Sequence, residues 1–205
     1  MGFRKMLFIL LVPVVVEVVI ACCDCSEPVH AVYSNKSVSV DHLDNGGDFP
    51  VSANSGPVSR RAYGLRVRIQ RETVAYGGKE LSSFFQSAFA FDCACDEGDE
   101  LVAKDSLTGF RIITLGDIDA EHPANSDVSD YFKVYISDSH FFQTIDSYFD
   151  FKNTSLYERR DLVWTVDLLL MTFPEHGGTY QFKIQLPLSD GRVLEAKTTS
   201  IELTE

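Results

Sequence analysis

The sequence predicts a mainly β protein, an antiparallel β-sandwich carrying one or two short helices. Three observations predict it. From Ser37 onward apolar residues recur at every second position, which collects them on one face of a pleated strand. Aromatic residues make up 12% of the chain, mostly Phe and Tyr, and these favour strands. Turn signals rich in Gly, Pro, Asn and Asp cut the alternating runs into about seven or eight segments, the number a sandwich uses. A small barrel is the other way to close the same strands.

The segments follow in order. Val38 and Val40 alternate with Ser37, Ser39 and Asp41, and a loop over 44–59 follows. In YGLRVRIQRE, Leu65, Val67 and Ile69 point inward while Arg66, Arg68 and Gln70 point out, and Tyr76-Gly77-Gly78 punctuates the run. FAFDCAC (89–95) sets Phe89, Phe91, Cys93 and Cys95 on one face, and DEGDE (96–100) is a charged turn. Phe110–Leu115 reads as a strand, GDIDAEHPANS as a loop and Phe132–Ile136 as a strand. Ser126 is placed to cap a helical turn through Tyr131, and Ser139 to cap a helix from His140 to Phe149. In that helix Phe141, Ile145 and Phe149 share one side, although a strand is the competing assignment.

The last third alternates most regularly. Trp164, Val166, Leu168 and Leu170 form one face, and Tyr180, Phe182, Ile184 and Leu186 another. Asp190-Gly191 is a hairpin signal leading into RVLEAKTTSIEL, and Pro187 marks an edge or bulge. The spacing Pro174…Gly178-x-Tyr180 resembles the corner before a late strand of immunoglobulin-like sandwiches, where a tyrosine ties back to the preceding turn. The predicted architecture is therefore an immunoglobulin-like sandwich, without the paired core cysteines of antibody domains.

The N-terminus has a different character. Arg4 and Lys5 precede an apolar run, Met6–Ile20, that is too short for a membrane span and contains Pro13 and Glu17. It reads as a secretory signal over residues 1–21. Val19-Ile20-Ala21-Cys22 resembles a bacterial lipobox, which implies a diacylglyceryl group on Cys22 and cleavage before it. Several acyl chains on one residue anchor a protein firmly, each buried CH₂ contributing about 0.8 kcal/mol. An ordinary cleaved secretory signal is the plainer reading. Residues 22–36 form the lipidated N-terminus and tether, and 37–205 one domain.

Removing Arg4, Lys5 and Glu17 with the signal leaves 16 basic and 29 acidic side chains, a net −13. Such a surface repels phosphate backbones and argues against nucleic acid as a partner. Four cysteines remain beside Cys22: Cys23, Cys25, Cys93 and Cys95. Export favours disulfides among them, three pairings being open. Zinc would demand wider spacing within each Cys-x-Cys pair.

Candidate sites are sparse. Asp92, Asp96, Glu97, Asp99 and Glu100 could gather oxygens around calcium, as could Asp117, Asp119 and Glu121. Neither stretch follows the EF-hand pattern, and solvated acidic turns are the ordinary alternative. His30, His42, His122, His140 and His176 show no metal-ligand spacing. His176-Gly177-Gly178 reads as a turn, and no Gly-x-Ser-x-Gly elbow accompanies it. Tyr33, Tyr63, Tyr76, Tyr131, Tyr135, Tyr148 and Tyr157 are candidates for stacking on sugars, many of them claimed by the core. Asn35 and Asn153 head Asn-x-Ser sequons, which carry weight only in a eukaryotic host.

The start CCDC, the FAFDCAC segment, the stretch LTGFRIITLGDIDAEHPANSDVSDYFKV and the end YQFKIQLPLSDGRVLEAKTTSIEL together resemble an uncharacterised family of envelope lipoproteins from Bacteroides-type bacteria. The resemblance implies a single domain anchored in the envelope, at the outer membrane or cell surface, and implies no chemistry. The expected function is a lipid-anchored, non-enzymatic module that binds a protein or glycan and uses no cofactor. An envelope hydrolase with a site assembled from distant residues, and a structural assembly subunit, are the alternatives.

Overall fold

The computed structural model describes residues 30–53, 56–76, 100–137, 139–154 and 162–205. The longest strands, β1 (His30–Asp44) and β4 (Tyr63–Tyr76), pair antiparallel along their whole length and organise the larger sheet. β9 (Val163–Leu170) pairs on the far side of β4, followed by β7 (Phe132–Ile136) and the edge strand β8 (Phe141–Gln143). The other edge of β1 is shared. β2 (Val51–Ser52) takes its C-terminal end antiparallel, and β5 (Glu100–Ala103) its N-terminal end parallel.

The second layer is built on one interrupted hairpin. β10 (Gly178–Tyr180) and β11 (Phe182–Pro187) are one strand broken at Gln181, and β12 (Val193–Lys197) and β13 (Ile201–Thr204) are its returning partner. The break is held by Thr198, whose N–H donates to the Phe182 carbonyl (2.9 Å) and whose Oγ1 accepts the Phe182 N–H (3.0 Å). β6 (Arg111–Thr114) pairs with β11, and β3 (Val58–Ser59) runs parallel to β13. Among the described residues the result is a mainly β, sandwich-like fold with antiparallel sheets, one short helix and no closed barrel.

Alternation accounts for the core. Leu65, Val67, Ile69, Val166, Leu168, Leu170, Phe182, Ile184 and Leu186 are all buried, while Arg66, Arg68 and Lys183 stay at the surface. Phe182 binds the layers together: its ring stacks on Tyr63 at 5.8 Å and meets Phe132 edge-on at 5.7 Å. The Tyr180 hydroxyl donates to the His176 carbonyl at 2.8 Å, so the expected tie back to the preceding corner is present. Asp190-Gly191 turns the β11–β12 hairpin, with Gly191 at φ 88, a conformation that favours glycine.

Polar groups lock the layers. Asp105, 1% exposed, accepts the Asn35 N–H on Oδ1 (2.8 Å) and the Ser34 hydroxyl on Oδ2 (2.6 Å), and its carbonyl accepts from Asn35 Nδ2 (2.7 Å). Arg192, at the hairpin turn, closes an ion pair onto the same carboxylate. One carboxylate thus joins β1, the corner after β5 and the second layer. His42, also buried, accepts the Tyr63 hydroxyl on Nδ1 (2.8 Å) and faces the Thr199 carbonyl with Nε2 (3.1 Å), which assigns the neutral Nε2–H form. Burial lowers its pKa accordingly.

Four expectations need correction. β1 begins at His30, inside the stretch read as tether, because β4 and β5 pair with it from both sides there. The helix α1 spans Ile145–Thr154 rather than starting at His140, because Phe141–Gln143 find ladder partners in β7. Ile145 and Phe149 are buried as expected, whereas Phe141 is exposed. The helical turn before β7 is a 3-10 turn, Ser129–Tyr131, with no side-chain cap, and Ser126 instead gives its carbonyl to the Thr114 N–H. Finally, RVLEAKTTSIEL is two strands, divided at the Thr198 bulge.

Candidate functional site

The outer face of the larger sheet carries one row of cross-strand partners: Asp41, Arg66, Asp167, Tyr135 and Phe142. Alternation turns these residues away from the core. Arg66 grips Asp167 through two bonds, Nε to Oδ1 at 2.7 Å and Nη2 to Oδ2 at 2.6 Å, a bidentate fit that fixes both side chains. The Asp167 partner raises the Arg66 pKa. Arg68 pairs with Asp41 beside it. The charged part of the row is therefore locally balanced.

Beyond Asp167 the row turns aromatic. Tyr135 and Phe142 lie 5.6 Å apart at a tilt of 47°, and the Tyr135 hydroxyl bonds His140 Nδ1 at 2.8 Å. His140 holds a left-handed backbone, φ 50, in the turn between β7 and β8. Phe49, from the loop between β1 and β2, lies 6.1 Å from the His140 ring although its flanking strands stand at the opposite edge. That loop therefore reaches across the outer face. Gly64 lets β4 and its neighbours pack closely on this face: a Cβ there would sit 2.6 Å from the Leu168 carbonyl oxygen and 2.7 Å from Leu169 Cδ2. Its absence lets Leu43 and Leu169, both outward-facing, become buried. Phe49 is 59% exposed and Phe142 38%, so the rings form an accessible cluster.

The other end of the β7–β8 hairpin borders an open cleft of about 490 Å³, lined by His122, Asp127, Ser129, Lys133, Thr144 and Asp146 among others. His122 is held by its loop. Asp119 Oδ1 accepts the backbone N–H groups of Glu121 (2.9 Å) and His122 (2.8 Å) and lies 2.9 Å from His122 Nδ1. The Tyr131 hydroxyl donates to Asp119 Oδ2 at 2.5 Å and lies 2.7 Å from the same Nδ1. One arrangement satisfies every contact: Nδ1 carries the proton shared between Asp119 and Tyr131, leaving Nε2 for the cleft. The Tyr131 hydrogen bond foremost holds the Asp119 carboxyl down to about 2, and burial with the Asp119 charge pushes the Tyr131 phenol up to about 12.

The expected sites divide sharply. Cys22, Cys23, Cys25, Cys93 and Cys95 lie outside the described residues, as do Asp92, Asp96, Glu97 and Asp99 and the side chain of Glu100. In the second calcium set, Asp119 accepts from Tyr131 and its own loop, and Asp117 accepts the Ala124 N–H (2.8 Å). Among the described residues no three His, Cys, Asp or Glu side chains gather to hold a metal. Of the tyrosines, Tyr135 joins the exposed cluster, Tyr63 is core, and Tyr33 lies under the Arg71 guanidinium at 4.5 Å. Tyr148 packs on Phe149 and Trp164. Asn35 is buried on Asp105, which removes it as a glycan acceptor.

Phe49 and Phe142 escaped the sequence reading as sites, whereas Asp119 and Tyr131 were read separately, as calcium and stacking candidates, and His122 and His140 as histidines without metal spacing. The spacing Asp119-x-x-His122 was a readable sign of a loop clamp, but Tyr131 joins it only through the fold.

Because Asp119 titrates near 2 in the fold and near 3.8 when unfolded, its stabilisation is complete above pH 3.8 and lost as pH falls toward 2. Tyr131→Phe should therefore melt below the parent protein at pH 6, with the gap narrowing between pH 4 and 2. Thermal melts across that range check this, and a gap independent of pH would contradict it.

Comparison with known proteins completes the description. No curated protein matches the chain. A family model described as a domain of unknown function, DUF5034, matches residues 35–199, from the Asp105-bound end of β1 to the bulge before β13, and the chain belongs to that family.

Proposed function

We propose that this protein is a non-enzymatic binding module, held on a bacterial envelope by lipid on Cys22, that takes a neutral glycan on its outer face. The exposed cluster of Phe49, Tyr135, His140 and Phe142 carries the proposal. Tilted, half-exposed rings accept the apolar faces of sugar rings, and the neighbouring Asp167, Arg66 and Tyr135 hydroxyl offer acceptors and donors to sugar hydroxyls. The acidic surface repels polyanions, which selects neutral chains. Support for the anchor comes from the signal-like N-terminus and its lipobox.

A second reading has its own observation: Asp119 fixes His122 so that Nε2 is left for a cleft, the arrangement of a general base, which fits an envelope hydrolase.

Affinity electrophoresis in gels cast with individual neutral polysaccharides tests the first reading. At least one should retard the protein, and Phe49→Ala or Phe142→Ala should weaken binding by about tenfold. Retardation by none, together with a cross-linked protein partner lost in the same two variants, would replace the glycan with a protein. Turnover of ester reporters that disappears in His122→Ala would favour the hydrolase. For the anchor, Cys22→Ser should abolish fatty-acid labelling and release the chain from the membrane fraction, and unchanged labelling would refute it.

A further inference from the structure

The row from Asp41 to Phe142 crosses β1, β4, β9, β7 and β8, so its ends stand four strand steps apart. At about 4.8 Å a step the row is about 19 Å long. The rings of Tyr135 and Phe142, 5.6 Å apart, occupy only one end of it. Both ends open at limits of the sheet. β8 is an edge strand, and among the described residues no strand pairs with β1 opposite Arg66 at Asp41, since β2 takes Leu43 and Asp44 and β5 takes His30–Tyr33. One flank is closed, because the next outward positions, Leu43, Gly64 and Leu169, are buried. The other flank continues in register as Ser39, Arg68 and Thr165, then as Ser37, Gln70 and Val163. Of these, Ser37, Ser39, Gln70 and Thr165 are all exposed.

The chemistry of this platform departs from that of the whole chain. The protein carries 30 acidic side chains against 18 basic ones. These three rows hold two of each, and they are paired off, Arg66 with Asp167 and Arg68 with Asp41. The other polar groups are hydroxyls and one amide, which donate and accept hydrogen bonds without charge. Such a surface offers an ion no net field, and a sugar chain many partners.

We propose that the outer face binds the interior of an extended neutral polysaccharide, lying across the strands from Phe142 to Asp41. The inference rests on the glycan reading above and specifies the kind of glycan. A sugar in an extended pyranose chain advances by roughly the spacing between strands, so the four steps of the row take about four sugars. The open ends let the chain run off the sheet on either side, which is recognition of its interior and not of a terminus. A coiled chain would touch a straight row only once in each turn. The work divides along the row. Tyr135 and Phe142 stack on sugar faces at one end. The ion pairs keep the middle rigid, and the hydroxyls of Ser39 and Thr165 meet sugar hydroxyls along the open flank.

Isothermal titration of the full chain with β-1,4-linked gluco-, manno-, galacto- and xylo-oligosaccharides of two to six residues tests this. In a series that binds, affinity should rise by about tenfold from disaccharide to tetrasaccharide and then level off. Reducing the terminal sugar of the hexasaccharide to an alditol should leave its affinity unchanged. Phe142→Ala should weaken every length. Asp41→Ala, at the far end, should weaken the tetrasaccharide and longer chains while sparing the disaccharide. Coiled malto-oligosaccharides should bind at least tenfold less tightly. A disaccharide bound as well as the hexasaccharide, a loss on alditol formation, or malto-oligosaccharides bound equally well would overturn the proposal and leave the glycan reading standing. Binding of none of these saccharides would overturn the glycan reading, and the proposal with it.

Discussion

The buried carboxylate of Asp105 is the constraint on which the rest of the fold depends. A carboxylate taken out of water is costly unless every lone pair is met, and here β1 supplies the Asn35 N–H, the Asn35 amide and the Ser34 hydroxyl. A bulge between Asn35 and Ser37 aims Asn35 at it. Arg192 completes the site from the second layer while its own side chain stays 47% exposed. The ion pair itself therefore contributes little, and the buried hydrogen bonds to Asn35 contribute most. Through them the register of β1 against β5, the position of the β11–β12 hairpin and the spacing of the layers become one quantity.

With β1 fixed, the outer face follows. The β1–β4–β9–β7–β8 register aligns Asp41, Arg66, Asp167, Tyr135 and Phe142 in a row, and a slip by one residue would turn all five into the core. The loop carrying Phe49 brings its ring to His140 at the far edge of that sheet. Two edges of one sheet thus contribute to one aromatic cluster. The proposed binding surface is rigid where Arg66 and Asp167 lock the sheet, and reachable where the rings emerge.

Most of the strands were legible because their burial is decided by alternation alone. Leu65, Val67 and Ile69, and Phe182, Ile184 and Leu186, go inward as their period requires. The corner tie of Tyr180 was legible as well, since it spans only the five consecutive residues 176–180 and their turn. The region 137–150 was not. Its helical spacing at Phe141, Ile145 and Phe149 is real, but β7 offers Phe141–Gln143 backbone partners, and tertiary pairing overrides local periodicity. The site was the least legible part. Phe49 and His140 are 91 positions apart and meet only because a loop crosses three intervening strands. Tyr131 likewise reaches Asp119 through the 3-10 turn, a contact that no spacing announces.

Urea unfolding of Asp105→Ala, Asn35→Ala and the double variant tests the account most directly. Each single change should cost about 2–4 kcal/mol by stranding a buried polar group, and the double variant should fall short of their sum by about 1 kcal/mol or more. Single losses under about 0.5 kcal/mol, the scale of an ordinary surface change, would contradict the claim that this clamp holds the layers in register.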